Sequence, residues 1–412
     1  MKKITLSQLV SCTVMLLFLA TLSATSVEAA IPRVAAPEKQ QPNTNAMIWR
    51  FIGPMAGTRG SVVLGHPTDN NVFYHGASGG LWKTPDAGQT WIPVGDGQFG
   101  TSSVGAMEIS LSNPDIMYVG MGEPQMRNNV SWGDGVYKSV DGGETWTHLG
   151  LEETHHISQV RIHPTNPDIV YVSAFGHAFG PNPERGVFRT RDGGKTWKKV
   201  LFKSEKAGAI DLVMNPTNPD ELFASIWEFE RKAWGPKTGG PDSGLWKSTD
   251  GGDTWKDITY NSGLPEGGRG RMGLTMSAAD GNRVYALIDS ETRPALYRSD
   301  DKGENWEFVS DYFQIIGRPF YYSHVYVNPS NADELWVPNN RIFSSPDGGK
   351  TWVVEPGIKD DFHDVWIDPN NANRMIATCD GGVQVSLTGG LSWSTQYTQK
   401  TSQIYRVSTD ND

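Results

Sequence analysis

Three stretches of the 412-residue sequence mix aromatic rings with charged and amide side chains. Residues 120–135 carry Glu123, Arg127, Asn128, Trp132 and Asp134. Residues 175–185 carry His177 and Phe179, and residues 226–243 carry Trp227, Glu228, Arg231, Lys232 and Trp234. A flat ring stacks on an apolar face while polar groups fix orientation, which is the chemistry of sugar or peptide recognition. A second set shares one register. Counting back from a following proline, the same position holds Gln159, Asp211, His324 and Asp364, with His156, Tyr321, Tyr322 and His363 nearby. The histidines of these sets lie in different repeats without ligand spacing, so no metal and no cofactor is expected.

The elements that must position these residues are repeats. Six segments fit Ser/Thr-x-Asp-x-Gly-x-x-Trp: Thr84–Trp91, Ser139–Trp146, Thr190–Trp197, Ser248–Trp255, Ser299–Trp306 and Ser345–Trp352. A seventh, Ser386–Trp393, has Thr388 in place of the aspartate. Between them recurs a Pro/Asn/Asp turn followed by an alternating apolar strand, as at Pro164–Tyr171. Repeats of 41 to 58 residues suit one four-stranded blade each, giving an all-β, seven-bladed β-propeller. In the third repeat the strands are expected at about 156–162, 169–174 and 186–190, with a fourth beginning at Trp197. In each box the aspartate accepts turn amides, glycine supplies the left-handed backbone position, and tryptophan covers the hairpin. These aspartates are therefore scaffold, and the variable loops between second and third strands, and between fourth and first, are where a site belongs.

Composition agrees. Hydrophobic residues make up 37% and the chain contains 46 glycines, enough for a packed core with many turns. A net charge of −10 argues against a nucleic-acid backbone as ligand, since such binders usually show a basic stripe. Lys2 and Lys3 precede an apolar run, Val14–Ala20, and the small-residue end Val27-Glu28-Ala29-Ala30, so residues 1–29 read as a cleaved signal peptide. A lipoprotein box at Leu9–Cys12 is disfavoured because the apolar run follows Cys12. The mature chain would have no transmembrane segment, would be secreted or periplasmic, and would keep a single cysteine, Cys379. Residues 30–46 read as a flexible leader and 47–400 as the propeller. Residues 401–412 read as the start of a further blade or a closing strand. Trp49–Ile52 looks like an isolated fourth strand and Ile404–Val407 like an isolated first strand. With the abrupt end at Asp412, this favours a longer protein with a missing C-terminal part.

The boxes, with Asn128–Ser139, Gly150–Ile157 and Asp380-Gly381-Gly382-Val383, resemble the BNR/Asp-box superfamily. More closely, the chain is similar to exported bacterial proteins with a sortilin N-terminal (VPS10-like) domain or a glycosyl-hydrolase-like BNR repeat. The resemblance implies a β-propeller without fixing an activity, because sialidases, xyloglucanases, sortilins and a photosystem II assembly factor share the repeat. The first reading is a recognition module for glycan or protein and peptide. Its expected ligand-binding residues are Arg127, Asn128, Trp132, Asp134, His156, His177, Trp227, Trp234, Tyr322, His324 and His363. The alternative is a xyloglucanase-like glycoside hydrolase, which takes two carboxylates across the scissile bond. The resemblance implies an acid before each of two Gly-Gly pairs. Asp380 keeps one, whereas Ser78 replaces the other, leaving Asp380, Asp364 and Glu123 as catalytic candidates. A sialidase is a weaker match, since Trp49–Pro54 only superficially resembles the expected arginine motif. A sortilin-like peptide receptor would use the central channel. Opposed carboxylates in an open cleft favour hydrolysis, and arginine-paired or buried ones favour binding.

Overall fold

A computed structural model describes residues 57–356 and 361–401, together with Met55 and Ser408. The expectations for the signal peptide, the leader, Trp49–Ile52 and Ile404–Val407 fall outside the described residues. Seven antiparallel sheets follow one another along the chain, each joined in sequence order from hub to rim, and form a seven-bladed β-propeller. The third blade runs Ile157–Ile162, Val170–Ala174, Gly186–Thr190 and Lys198–Leu201, within a residue of the sequence expectation. The fourth blade is larger: Asn218–Lys232 outruns its neighbours and folds back on Gly235–Thr238. The seventh blade has three strands, Phe362–Asp368, Asn371–Cys379 and Gly382–Ser386. Beyond them, the Ser394 amide bonds Val385 O at 2.8 Å.

Burial follows position in the blade. Second strands such as Val170–Ala174 are buried on both faces, because a neighbouring blade covers each side. Outer strands such as Lys256–Asp257 are exposed. The core is therefore a series of layers between blades. One layer joins Val213, Phe223 and Leu245 of the fourth blade to Met272, Leu274 and Val284 of the fifth.

Each box is pinned as its residue types require. Asp141 Oδ1 accepts from the Thr145 amide at 2.9 Å and from Ser139 Oγ at 2.8 Å, and Ser139 Oγ accepts from the Gly143 amide at 2.9 Å. Gly143 has φ 92°, a backbone that side chains resist. In the seventh box the Thr388 hydroxyl takes the carboxylate's place and accepts from the Ser392 amide at 2.9 Å. The tryptophans do more than cover their own hairpins, because each leans on the preceding blade. Trp146 donates to Val94 O at 2.8 Å, Trp197 donates to Leu149 O at 2.9 Å, and Trp306 packs in the layer with the fourth blade.

The same contact closes the ring. Trp91 of the first blade packs on Ile376, Val383 and Val385 of the seventh. Arg374, buried beside Asp368 at 2.7 Å, donates across the junction to the carbonyls of His66, Asp69, Asn70 and Val72. First strands face the channel with backbone amides that no fifth strand pairs, and a carboxylate of the preceding blade caps one of them at three junctions. Asp364 accepts from Val63 N and Asp211 from Leu274 N, both at 2.8 Å, and Glu108 accepts from Ile162 N.

Candidate functional site

The loops between second and third strands gather with the segments leading into the first strands on one face of the ring. At the channel mouth, four blades contribute to a charged cluster. Glu123 has no solvent exposure and lies between two guanidinium groups, 2.7 Å from Arg59 Nε and 2.6 Å from Arg127. The other edge of Arg59 lies 2.5 Å from Asp380, whose side chain is 40% exposed. Asp380 is thus the accessible carboxylate of the pair. Burial pushes its pKa up, Arg59 pulls it down, and the neighbouring Asp361 pushes it up again, with a net rise. Asp361 accepts from Tyr322 Oη, and its carbonyl accepts from the Asp380 amide at 3.3 Å.

His363 is buried beside this cluster. Its Nδ1 faces Gly60 O at 2.5 Å and so carries the hydrogen, while Nε2 accepts from Tyr321 Oη at 2.8 Å. Burial and the Arg59 charge keep the ring neutral, so its 3.3 Å approach to Asp380 is a contact of an uncharged imidazole. His324 is likewise neutral, with Nε2 accepting from Arg271 at 2.8 Å.

The loop of the second blade closes the mouth. Arg271 of the fifth blade donates to Pro124 O, Gln125 donates to Ser61 O of the first, and Met126 is buried among Phe175, Ile210 and Trp227 of the third and fourth. Beneath it lies a polar cavity of about 270 Å³ lined by Glu108, Gln125, Arg161, His324 and Asp364, among others.

The structure sorts the residues expected from sequence. Asp380, Glu123, Arg127, Tyr322 and His363 come together at the mouth. Asp364 does not join them: it is enclosed in the channel, where it holds Val63 N, Val365 N and Tyr326 Oη, and burial raises its pKa to about 6. Trp227 has no exposed surface and packs on Phe175 and Phe229, because its position on a central strand turns it into a layer between blades. His156 is also buried. Asp134 is occupied by Tyr137 Oη at 2.7 Å and Thr101 Oγ1 at 2.9 Å. Asn128 accepts from Arg231 at 2.9 Å, which ties the loops of the second and fourth blades. Trp132 and Trp234 are 59% and 84% exposed, and His177 is partly exposed. The sequence reading missed Arg59, Asp361, Arg271 and His155. Arg59 and Asp361 immediately precede a first strand, His155 lies two residues before one and Arg271 is the third residue of another, so the starts of those strands were the available signal.

Repeat, ring and boxes define an Asp-box β-propeller of the BNR type. A family model described as Sortilin-Vps10 (sortilin, neurotensin receptor 3) matches residues 134–266. Among curated proteins, the chain is 25% identical over 345 residues to a xyloglucanase of Acetivibrio thermocellus, covering 73% of this chain and 38% of that enzyme. The chain therefore spans well under half the length of that relative. Among solved structures, a GH74 enzyme of Niastella koreensis superposes with a TM-score of 0.58 at 18% identity, covering 83% of this chain and 54% of the other. YCF48 from Cyanidioschyzon merolae superposes with a TM-score of 0.51 at 15% identity, covering 82% and 98%. Among the described residues, no helix is long and apolar enough to cross a membrane.

Proposed function

We propose that this propeller is a glycan-binding unit of glycoside-hydrolase type, with a β-glucan such as xyloglucan lying across the loop face and meeting Asp380. The xyloglucanase relatives supply the substrate class. The observation that carries the reading is the contrast between two carboxylates on one guanidinium: Glu123 is enclosed, while Asp380 is open to a ligand and raised in pKa. A raised carboxyl is what donation of a proton to a leaving oxygen asks for. Glycosidic cleavage also asks for a second carboxylate across the bond. Asp361 sits against Asp380 rather than opposite it, and Ser78 occupies the position where the relatives' pattern has an acid. The chain is accordingly a binder with weak turnover. Export, expected from the N-terminal segment, would bring it to polysaccharide outside the cytoplasm.

A peptide threading the channel from this face fits less well, because the loop of Pro124, Gln125 and Met126 lies across the opening. Calorimetry with xyloglucan, mixed-linkage β-glucan and sialosides tests the reading. Micromolar to millimolar binding of a β-glucan, weakened by Asp380→Ala, is expected. Robust turnover by the unaltered chain that Asp380→Ala abolishes would show a complete hydrolase, and no glycan binding at all would remove the proposal.

A further inference from the structure

Outside the mouth, the same face carries a second group of rings. Trp132 is a large apolar side chain left 59% exposed. Its ring lies 5.7 Å from that of His155 at 34°, and His155 lies 5.9 Å from His177 at 59°. The row crosses from the second blade to the third. Its placement is held from the backbone: the Gly133 amide bonds His155 O at 2.7 Å, and His155 adopts a left-handed φ of 54°, which a non-glycine residue keeps only when its surroundings require it. Its inner end is fixed to the mouth, since the Ser131 amide, next to Trp132, points at Glu123 Oε2 at 3.4 Å. His177 is pushed toward its neutral form by partial burial and by His155, so its ring presents an uncharged face.

We infer that Trp132, His155 and His177 form a stacking platform for the pyranose rings of a glycan chain as it leaves the mouth. This rests on the glycan reading of the face and extends it by naming the path. A pyranose has a flat C–H face that lies on the electron-rich face of an aromatic ring, and its hydroxyls seek polar neighbours. Asn128 lies on the loop of Trp132 and is held by Arg231 of the fourth blade at 2.9 Å, and Glu153 stands 3.8 Å from His155. Phe179, 63% exposed, follows two residues beyond His177 on the same loop. An extended peptide would instead ask for an unpaired sheet edge or pockets for alternate side chains.

The test uses the full chain and measures affinity for polymeric xyloglucan and for its single-repeat oligosaccharide. Thermal unfolding serves as a control, and because Trp132 and His177 are not core residues, their variants should melt as the parent does. Trp132→Ala and His177→Ala should each weaken polymer binding roughly tenfold, the size of one lost aromatic contact. Binding of the single repeat, seated at Asp380, should be unchanged, and Trp132→Phe should restore most of the loss. Full polymer affinity in both alanine variants overturns the platform and leaves the glycan reading intact. Loss in the alanine variants with none in Asp380→Asn keeps the platform and overturns the role of the mouth. Trp132-dependent binding of an unglycosylated peptide, with none of xyloglucan, overturns both.

Discussion

Asp380 and Glu123 share one guanidinium: Arg59 lies 2.5 Å from the first and 2.7 Å from the second. One arginine thereby fixes an open carboxylate against a closed one, and joins the first blade to the second and the seventh. Removing it separates the roles. Arg59→Ala should raise the Asp380 pKa further, because the arginine is what lowers it, and a carboxyl-carbon NMR titration would read the shift. The stability loss should be about 1–3 kcal/mol, since Arg127 still compensates Glu123. Urea denaturation would measure it.

Arg374 is the latch of the ring. Arg374→Ala leaves Asp368 buried without its cation and orphans carbonyls of the first blade. The expected loss is about 3–5 kcal/mol, partly recovered by adding Asp368→Asn. Chemical denaturation of the single and double variants distinguishes a broken pair from a general packing defect.

Buried histidines make the fold acid-sensitive, His75 and His156 among them. Burial, helped by His363 and His155 respectively, lowers His75 and His156 from 6.5 to about 3. Between those values the unfolded chain binds protons that the folded chain refuses. Their contribution to stability is therefore complete above 6.5 and declines as pH falls toward 3. Urea midpoints should fall steadily below about pH 6.5. His75→Gln removes one of these rings and should lessen that slope in part, because His156, His363 and His324 are buried and lowered as well.

The box aspartates act lower. Hydrogen bonds from the Thr145, Thr196 and Thr254 side chains and amides hold Asp141, Asp192 and Asp250 at about 2, down from 3.8. Their support is present above 3.8 and is lost as pH falls toward 2. Asp141→Asn should weaken the pH dependence of stability in that window alone, read by acid titration of near-UV circular dichroism.

Thr388 is an aspartate position filled by a hydroxyl. Thr388→Asp should complete the seventh box, with the Ser392 amide and hydroxyl as donors. A gain of about 0.5–1.5 kcal/mol is expected in thermal or urea unfolding, the usual net value of added hydrogen bonds.

Ser78 tests the missing acid. Its amide bonds Arg59 O at 3.0 Å, which places the residue beside the mouth cluster. Ser78→Asp should raise xyloglucan turnover at least about tenfold over the parent chain, corresponding to about 1.4 kcal/mol of barrier. A reducing-sugar assay would detect it, and Asp380→Asn in the same background should remove it.

The repeat made the blades legible. Serine, aspartate, glycine and tryptophan at fixed offsets form a hairpin through contacts only a few residues apart, so their spacing alone located the third blade to within a residue. Trp132 and Trp234 were also correctly placed on exposed loops, because turn-rich segments between strands run over the surface. Trp227 looked no different in composition. Its burial follows from the extension of the second strand of the fourth blade to Lys232, and no local pattern announces that length.

By itself, then, the amino-acid order determined what local bonding determines: seven pinned hairpins, the strands around them and the face on which loops vary. Only the closed ring decided which residues meet. Arg59 and Asp380 stand at opposite ends of the propeller sequence, and become neighbours because the seventh blade packs against the first. Asp364 and Asp380 are both acids near a glycine-rich turn or strand start, yet one lines the channel and caps a backbone amide of the first blade, while the other stands at the mouth against Arg59. Solvent access and charge pairing depend on neighbours hundreds of residues away, so they are properties of the assembled disc rather than of any segment within it.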